Sequence, residues 1–469
     1  MALLEEILQI VSQRVTPNEA ERKAVTSAAE NLRARVLKVA QTHGLDVDVR
    51  IDGSIAKDTW VSNEADIDVF MLVSPTLTRN DLETKCLDVV REAAGEHTER
   101  YAEHPYVELY VDGIRANIVP CFNVERGKWR SATDRTPHHT RYMQGKLDNN
   151  LRREVRLTKK FAKGIGVYGA EIQTSGFSGM LCEILTLHYK SFLNLVSSAR
   201  SWRTGHAIDL EGYYSNRMED LKDLFPSSLV VIDPVDKGRN VAAAVSREKM
   251  WNFVAASRRF IEKPTQDFFF PPPRPALPAI QMQQHLSQRE RDILFLLFGP
   301  IDAVVDTLWS QLYKTERSLK NFLRANGFVV AGSACWTNEK DKSIIMIELE
   351  QEILSNVYTR RGPPVWREEE SKRFIEKHVA AIDTVAGPRI EDYSWLVDKK
   401  RSHTSATRLL ELRMRDGGRE IGISAKIASS VRNGFNIMLN EQITKVYEEN
   451  HDFAELVTGY LKGRPFWLD

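Results

Sequence analysis

Long apolar runs are missing from this chain of 469 residues. No uninterrupted stretch approaches the roughly 18 residues needed to cross a bilayer, so no membrane helix is expected. Paired cysteines are missing as well. Cys86, Cys121, Cys182 and Cys335 stand far apart with no C-x-x-C pair, which argues against a disulfide framework or a zinc site and for reduced core thiols. An excess of either charge is also absent, since 65 basic residues face 64 acidic ones. That balance excludes a uniformly basic nucleic-acid coat, and any RNA site must come from local segregation of charge. Glu5 and Glu6 stand where a secretion signal would carry basic residues. There are no repeats or low-complexity tracts, and the expectation is a soluble, cytoplasmic protein without membrane association.

Gly53-Ser54 is followed, twelve residues after the serine, by Asp66-Ile67-Asp68. Side chains alternate along a strand, so Asp66 and Asp68 project from one face while Ile67 and Val69 point into the core behind them. Two carboxylates side by side make a hard-cation site, and Mg²⁺ suits it because that ion favours a few carboxylates plus substrate phosphates. The strand candidate Val47 to Ile51 runs into Asp52-Gly53-Ser54, where glycine admits close backbone approach to a phosphate and serine adds a hydroxyl. Strand, Gly-Ser turn, short helix and Asp-x-Asp strand in that order point to nucleotidyl transfer.

Length and pattern indicate an α+β multidomain chain. Thr16-Pro17 is expected to open a long helix through about Ala40. Val107 to Val111 and Ile114 to Val119 flank Asp112-Gly113 as a hairpin, whose second strand brings a third residue, Asn117, toward the aspartates. The catalytic domain is expected to span 1–145. Helical periodicity marks a second domain, 146–263. Phe268-Phe269-Phe270-Pro271-Pro272-Pro273 reads as a stiff linker whose aromatics pack beneath it rather than stack on bases. An α+β body, 264–360, follows, with two helices and then strand candidates Gly327 to Trp336 and Ile344 to Leu349. A sheet-bearing tail, 361–469, is expected to hold helix Glu368 to His378 and strands Leu409 to Met414 and Glu420 to Ile423. Eight basic residues against two acidic ones fall within 141–163, a strong local concentration of positive charge.

The chain resembles the polymerase-β-like nucleotidyltransferases, and within them the archaeal, class I CCA-adding enzymes or tRNA nucleotidyltransferases. The likeness is carried by Gly53-Ser54-Ile55-Ala56-Lys57-Asp58-Thr59-Trp60, Ala65-Asp66-Ile67-Asp68-Val69-Phe70 and Ile118-Val119-Pro120-Cys121. It continues in Ser131 to His139, Gly176 to Glu183, and Asp233-Pro234 through Arg239-Asn240-Val241-Ala242-Ala243. Gly387-Pro388-Arg389-Ile390-Glu391 and Arg464-Pro465-Phe466-Trp467 extend it more weakly through the C-terminal half. The arginine-rich signatures of class II enzymes are absent.

The resemblance implies a nucleotidyltransferase head, a helical neck, a body and a tail. It implies addition of C, C and A to the tRNA 3′ end from CTP and ATP, with two Mg²⁺ ions held by Asp66, Asp68 and the third position, here Asn117 where the family has aspartate. Gly53 and Ser54 match the residues that hold the β/γ phosphates, and Lys57 stands where arginine is more usual. Thr136, His139, Lys159 and Tyr168 match nucleotide-contacting positions. Arg239 matches an arginine that helps define the base. The tRNA acceptor and TΨC arms are the implied partner, with Arg152, Arg153 and Arg156 of the basic run as contacts. A homodimer is admitted by the sequence and not specified by it. Two rival readings remain open: a poly(A) or oligoadenylate type transferase, and a tRNA-binding protein silenced at Asn117. Asparagine there, native or introduced, is expected to spare binding and slow chemistry, because an amide carries no charge and cannot act as a base.

Overall fold

The computed structural model describes residues 2–101 and 103–468. The chain divides into two compact units, Met1–Pro273 with Arg464–Asp469, and Arg274–Gly463. The division falls within the proline-rich stretch, where the missing amide hydrogens of consecutive prolines preclude a helix.

In the first unit, a five-stranded sheet is built from β1 (Val47–Asp52), β2 (Asp66–Val73), β3 (Thr98–Tyr101), β4 (Pro105–Val111) and β5 (Ile114–Phe122), in the order β1-β2-β5-β4-β3. Only β2 and β5 run parallel. One face is apolar: Ile67, Val69, Met71, Ala116 and Ile118 pack with Ala28, Leu32 and Val36 of helix Glu19–Thr42 and with Val89 and Val90 of helix Leu87–Ala94. The opposite face carries Asp66, Asp68, Arg115 and Asn117, as the two-residue alternation requires. The expected hairpin is present, joined through Asp112 and Gly113, both at positive φ. The first long helix is capped by Asn18, whose side chain accepts from the Glu21 amide, rather than by Thr16.

A second core within this unit gathers helices Asn149–Gly164, Gly179–Tyr189, Phe192–Ala199 and Arg247–Glu262. Ile7, Val11 and Val15 of the N-terminal helix join it, as does Trp467. Phe161 is its hub, with ring centroids of Phe192, Phe253, Phe260, Phe268 and Phe269 between 5.2 and 5.9 Å away. Two members of the aromatic triplet are therefore core residues, each contributing about 1.5–3 kcal/mol by burial. This part is not purely helical. Strands His206–Ile208, Leu229–Asp233 and Asp236–Asn240 form a small sheet, and Arg239 lies on its last strand.

The second unit holds a four-stranded sheet of Asp292–Phe298, Val330–Thr337, Ser343–Leu349 and Phe435–Leu439, and a three-stranded one of Val357–Pro364, Thr384–Glu391 and Ser394–Lys400. Strand Asp292–Phe298 is where only helices were expected; it is central and apolar on both faces, so it lacks the alternation that identifies a strand. Leu409 to Met414 is helical and Glu420 to Ile423 is a tight turn, correcting two expected strands. Leu409, Leu410 and Met414 of the helix and Ile421 and Ile423 of the turn pack on one core, a helical pattern that a six-residue window does not resolve. The expected boundary at 360/361 lies inside strand Val357–Pro364, which pairs with Ser394–Lys400 and cannot be cut there. All four cysteines are buried and unpaired. Among the described residues no helix is long and apolar enough to cross a membrane.

Candidate active site

The parallel ladder between β2 and β5 sets Asp68 opposite Asn117 and Asp66 opposite Arg115. Asn117 Nδ2 donates to Asp68 Oδ1 at 3.1 Å, so the amide already touches the carboxylate it would share an ion with. Burial pushes the Asp68 carboxyl up to about 6; the Asn117 hydrogen bond opposes the rise and the neighbouring Asp66 charge adds to it. Gly53, at φ +69°, sits against the same group: a Cβ there would stand 2.1 Å from Asp68 Oδ2. The turn thus needs glycine twice, for its left-handed backbone and for room beside the aspartate.

Asp66 is half-exposed and engaged. Arg115 Nε and Nη2 donate to Asp66 Oδ1 and Oδ2, each at 2.7 Å, a two-pronged contact that no spacing along the chain foretells. Glu108, opposite Asn117 on β4, receives Arg100 at 2.9 Å and lies 3.9 Å from Arg115 Nη1. Two carboxylates and an amide oxygen on one face suit a hard divalent cation, and the lack of a side chain at Gly53 lets the Asp68 carboxylate lie directly against the turn. Among the described residues, the group of three His, Cys, Asp or Glu ligand atoms lying within 4.8 Å of one another is His451, Asp452 and Glu455, exposed in the second unit. Asparagine at 117 leaves the face on β2 and β5 one carboxylate short of such a trio.

Ser54 lies half-buried in the short helix Gly53–Ala56 that leaves the turn. Helix Thr136–Lys146 packs on it, with Gln144 Nε2 donating to Ala56 O at 2.8 Å. Lys57 and Lys159 are brought together, yet on a carboxylate: Lys57 Nζ is 2.6 Å from Glu183 Oε2, and Lys159 Nζ is 2.9 Å from Glu183 Oε1 and 3.0 Å from Thr59 Oγ1. All three side chains are buried; with both lysines charged the cluster has one positive charge in surplus, and burial, opposed by Glu183, lowers the Lys159 ammonium from its ordinary range. Burial opposes the Glu183 charge, but Lys159 and Lys57 outweigh it and hold that carboxyl down at about 2. Tyr168, half-buried, turns its hydroxyl to the same place: a Cβ at Gly179 would be 3.0 Å from Tyr168 OH and 3.7 Å from Lys159 Nζ.

A second assembly forms at Asp233, fully buried at the end of an apolar strand. His139 Nε2 lies 2.8 Å from its Oδ2, and Arg239 Nη1 donates to the same oxygen at 2.8 Å. Burial works against the Asp233 charge, yet His139, the Val235 amide and Arg239 keep its carboxyl at about 2. Arg239 remains partly exposed beyond this anchor. Thr136 begins its helix half-buried.

The basic run is mostly committed to the protein itself. Arg156 is enclosed, donating to Trp60 O at 2.9 Å and to the Asp58 carbonyl and carboxylate, so it is a structural link and not part of an RNA-facing surface. Lys160 and Lys163 both bind Glu64. Arg153 is exposed and Arg152 half-exposed, each touching a neighbouring asparagine one turn back. Glu183 and Asp233 lie within the family motifs, but sequence reasoning does not single them out. The signal that could have found them is a lone carboxylate inside an apolar run, Met180 to Leu187 and Leu229 to Asp233, because a buried charge requires partners.

Three family descriptions match successive segments: nucleotidyltransferase domain over residues 33–139, tRNA nucleotidyltransferase, second domain, over 153–270, and CCA-adding enzyme, C-terminal domain, over 289–440. The CCA-adding enzyme of Methanosarcina acetivorans is 36% identical over 94% of this chain and 95% of its own. That of Methanothermobacter thermautotrophicus is 34% identical over 96% and 97%. A solved structure of a cytoplasmic RNA terminal U-transferase aligns with 56% of this chain and 96% of that one, at 14% identity and a TM-score of 0.44.

Proposed function

This chain belongs to the archaeal-type CCA-adding enzymes, and from that premise we propose how its own residues perform the reaction. The protein adds C, C and A to the 3′ end of tRNA, with tRNA and nucleotides as its substrates. The tRNA 3′-hydroxyl attacks an α-phosphate of CTP or ATP in line, and pyrophosphate leaves. Enzymes of nucleotidyltransferase type use divalent metal, and two Mg²⁺ ions held by Asp66 and Asp68, one also facing Asn117, would neutralise charge on the attacking and leaving oxygens.

The reading rests above all on Asp68, which lies against the Gly53 turn on one side and Asn117 on the other. That contact puts a phosphate-accepting turn beside a carboxylate pair. Gly53 and Ser54 hold the β/γ phosphates through amide and hydroxyl donors. The surplus charge of Lys57 and Lys159 over Glu183 draws the triphosphate to the join of the two cores, where Tyr168 and Thr136 meet sugar and phosphate. Arg239, clamped by Asp233 together with His139, offers donors that fit cytosine and adenine edges; guanine or uracil would leave buried polar groups unpaired. Arg152 and Arg153 contact phosphates of the acceptor and TΨC arms.

Asn117 supports binding and limits chemistry. Its amide oxygen can touch an ion but supplies no charge and takes no proton. The test is incorporation of labelled CTP and ATP into tRNA lacking its 3′ end. Products stopping at three added nucleotides support CCA addition, and long homopolymer tails would defeat it. In single-turnover CMP incorporation, Asn117→Asp is expected to gain about 10²–10⁴-fold at similar tRNA and CTP affinity. Equal rates would move the third metal position away from 117, to another carboxylate such as Glu108.

A further inference from the structure

We propose that Arg115 is a built-in cation that competes with divalent metal for Asp66, and that Glu108 is the acceptor onto which it withdraws when metal binds. The inference rests on the reading of Asp66 and Asp68 as the metal pair. Arg115 uses two nitrogens on both Asp66 oxygens at 2.7 Å, so an ion that approaches Asp66 must share each oxygen with the guanidinium, against its positive charge, or displace it. Such fork-to-fork pairing is among the stronger exposed ion pairs, and Asp66 has no other partner of comparable geometry among the described residues. The register brings the two within reach: Arg115 is the residue opposite Asp66 on the parallel neighbour.

The third nitrogen explains where the side chain goes. Arg115 Nη1 already stands 3.9 Å from Glu108 Oε2, on the side away from Asp66. Glu108 binds Arg100 through its other oxygen, at 2.9 Å, which leaves Oε2 to receive Arg115. The remaining charges facing the group are Asp68, half-buried beside Asn117, and Lys57, which is bound to Glu183. With arginine in place, Asp66, Asp68 and Arg115 carry a net single negative charge, which is weak attraction for a divalent ion. Asn117 contributes none. Moving Arg115 to Glu108 restores both carboxylates. Metal affinity is therefore set by an arginine transfer within the protein, and the arginine offsets one of the two carboxylate charges when no metal is present.

Mn²⁺ is the probe, titrated into the full chain without tRNA or nucleotide and followed by the electron paramagnetic resonance of the free ion. Arg115→Gln is expected to tighten Mn²⁺ binding about five- to tenfold, the range for releasing a well-formed but partly exposed pair. Arg115→Lys should fall between, since an ammonium cannot span both oxygens. Glu108→Gln should loosen binding several-fold, because the arginine then has nowhere to withdraw. The double variant should bind like Arg115→Gln. Unchanged or weaker binding in Arg115→Gln would overturn the proposal, as would a Glu108→Gln effect that persists in the double variant. Asp66→Ala with Asp68→Ala separates the two levels: Mn²⁺ binding undiminished there would remove the metal pair itself, whatever Arg115 does.

Discussion

Lys57 Nζ and Glu183 Oε2 stand 2.6 Å apart, joining the end of the Gly-Ser turn to a helix of the second core. Lys159 takes the other Glu183 oxygen, so one buried carboxylate holds both lysines proposed to meet the nucleotide phosphates. Removing its charge leaves two ammonium groups enclosed together. Glu183→Gln is expected to lower stability by about 3 kcal/mol, the scale for breaking a buried pair from one side. ATP should then raise the melting temperature of the variant more than that of the parent, since the triphosphate supplies the missing negative charge. Equal ATP shifts would place the phosphates elsewhere.

Acid should undo the same join. Glu183 ordinarily titrates near 4.5 and Asp233 near 3.8, and both are held at about 2 in the folded chain. A carboxyl with a depressed folded pKa stabilises the fold above its unfolded value and loses that contribution as pH falls toward the folded one. Stability should therefore decline between about pH 5 and pH 2, by a few kcal/mol for the two groups together. Asp233→Asn should flatten part of this decline in melting experiments across that range. A parent curve that is level from pH 5 to 3 would contradict the assignment.

Gly53→Ala tests the approach of turn and carboxylate. The added methyl would meet Asp68 Oδ2 at 2.1 Å and must also adopt φ +69°. The left-handed backbone alone costs about 1–2 kcal/mol. Displacement of Asp68 should reduce Mg²⁺-dependent CTP binding by at least tenfold in calorimetry, about 1.4 kcal/mol. Metal-independent binding should change little.

Asp233 anchors Arg239, so under the role proposed for that arginine it is expected to influence base choice without touching the base. Asp233→Asn keeps the shape and weakens the hold on the guanidinium. The ratio of CMP to UMP incorporation should fall about tenfold or more, the scale of a single charged hydrogen bond. A drop in rate that left this ratio intact would assign Asp233 to folding alone.

Arg156 and the pair Arg152 and Arg153 should separate cleanly. Charge removal at Arg152 and Arg153 should lower the slope of log affinity for tRNA against log salt by about one to two, one for each phosphate that is no longer neutralised. Arg156→Ala should leave that slope unchanged and cost about 3 kcal/mol of stability, since the Trp60 and Asp58 carbonyls lose their Arg156 donor, while the Asp58 carboxylate keeps Arg22. A changed slope in Arg156→Ala would return it to the RNA surface.

Local pattern in the sequence determined the carboxylate strand, the Gly-Ser turn, the Asp112-Gly113 hairpin and the family. Those signals are short-range: period-two alternation fixes that Asp66 and Asp68 share a face, and turn chemistry fixes where strands reverse. The strand at Asp292–Phe298 and the helix at Ala406–Met414 depart from expectation for a related reason, because each is short and its period is set by what covers it in three dimensions. Which charges meet was decided only by tertiary structure. The one parallel pairing in the head sheet puts Arg115 on Asp66 and Asn117 on Asp68, and no spacing along the chain specifies that register. The contacts of Lys57 and Lys159 with Glu183 cross 126 and 24 residues, and that of Arg156 with the Asp58 carboxylate crosses 98. The sequence identified these residues as charged; burial against one another joined one lysine pair on Glu183 and turned Arg156 from an expected surface contact into a strut.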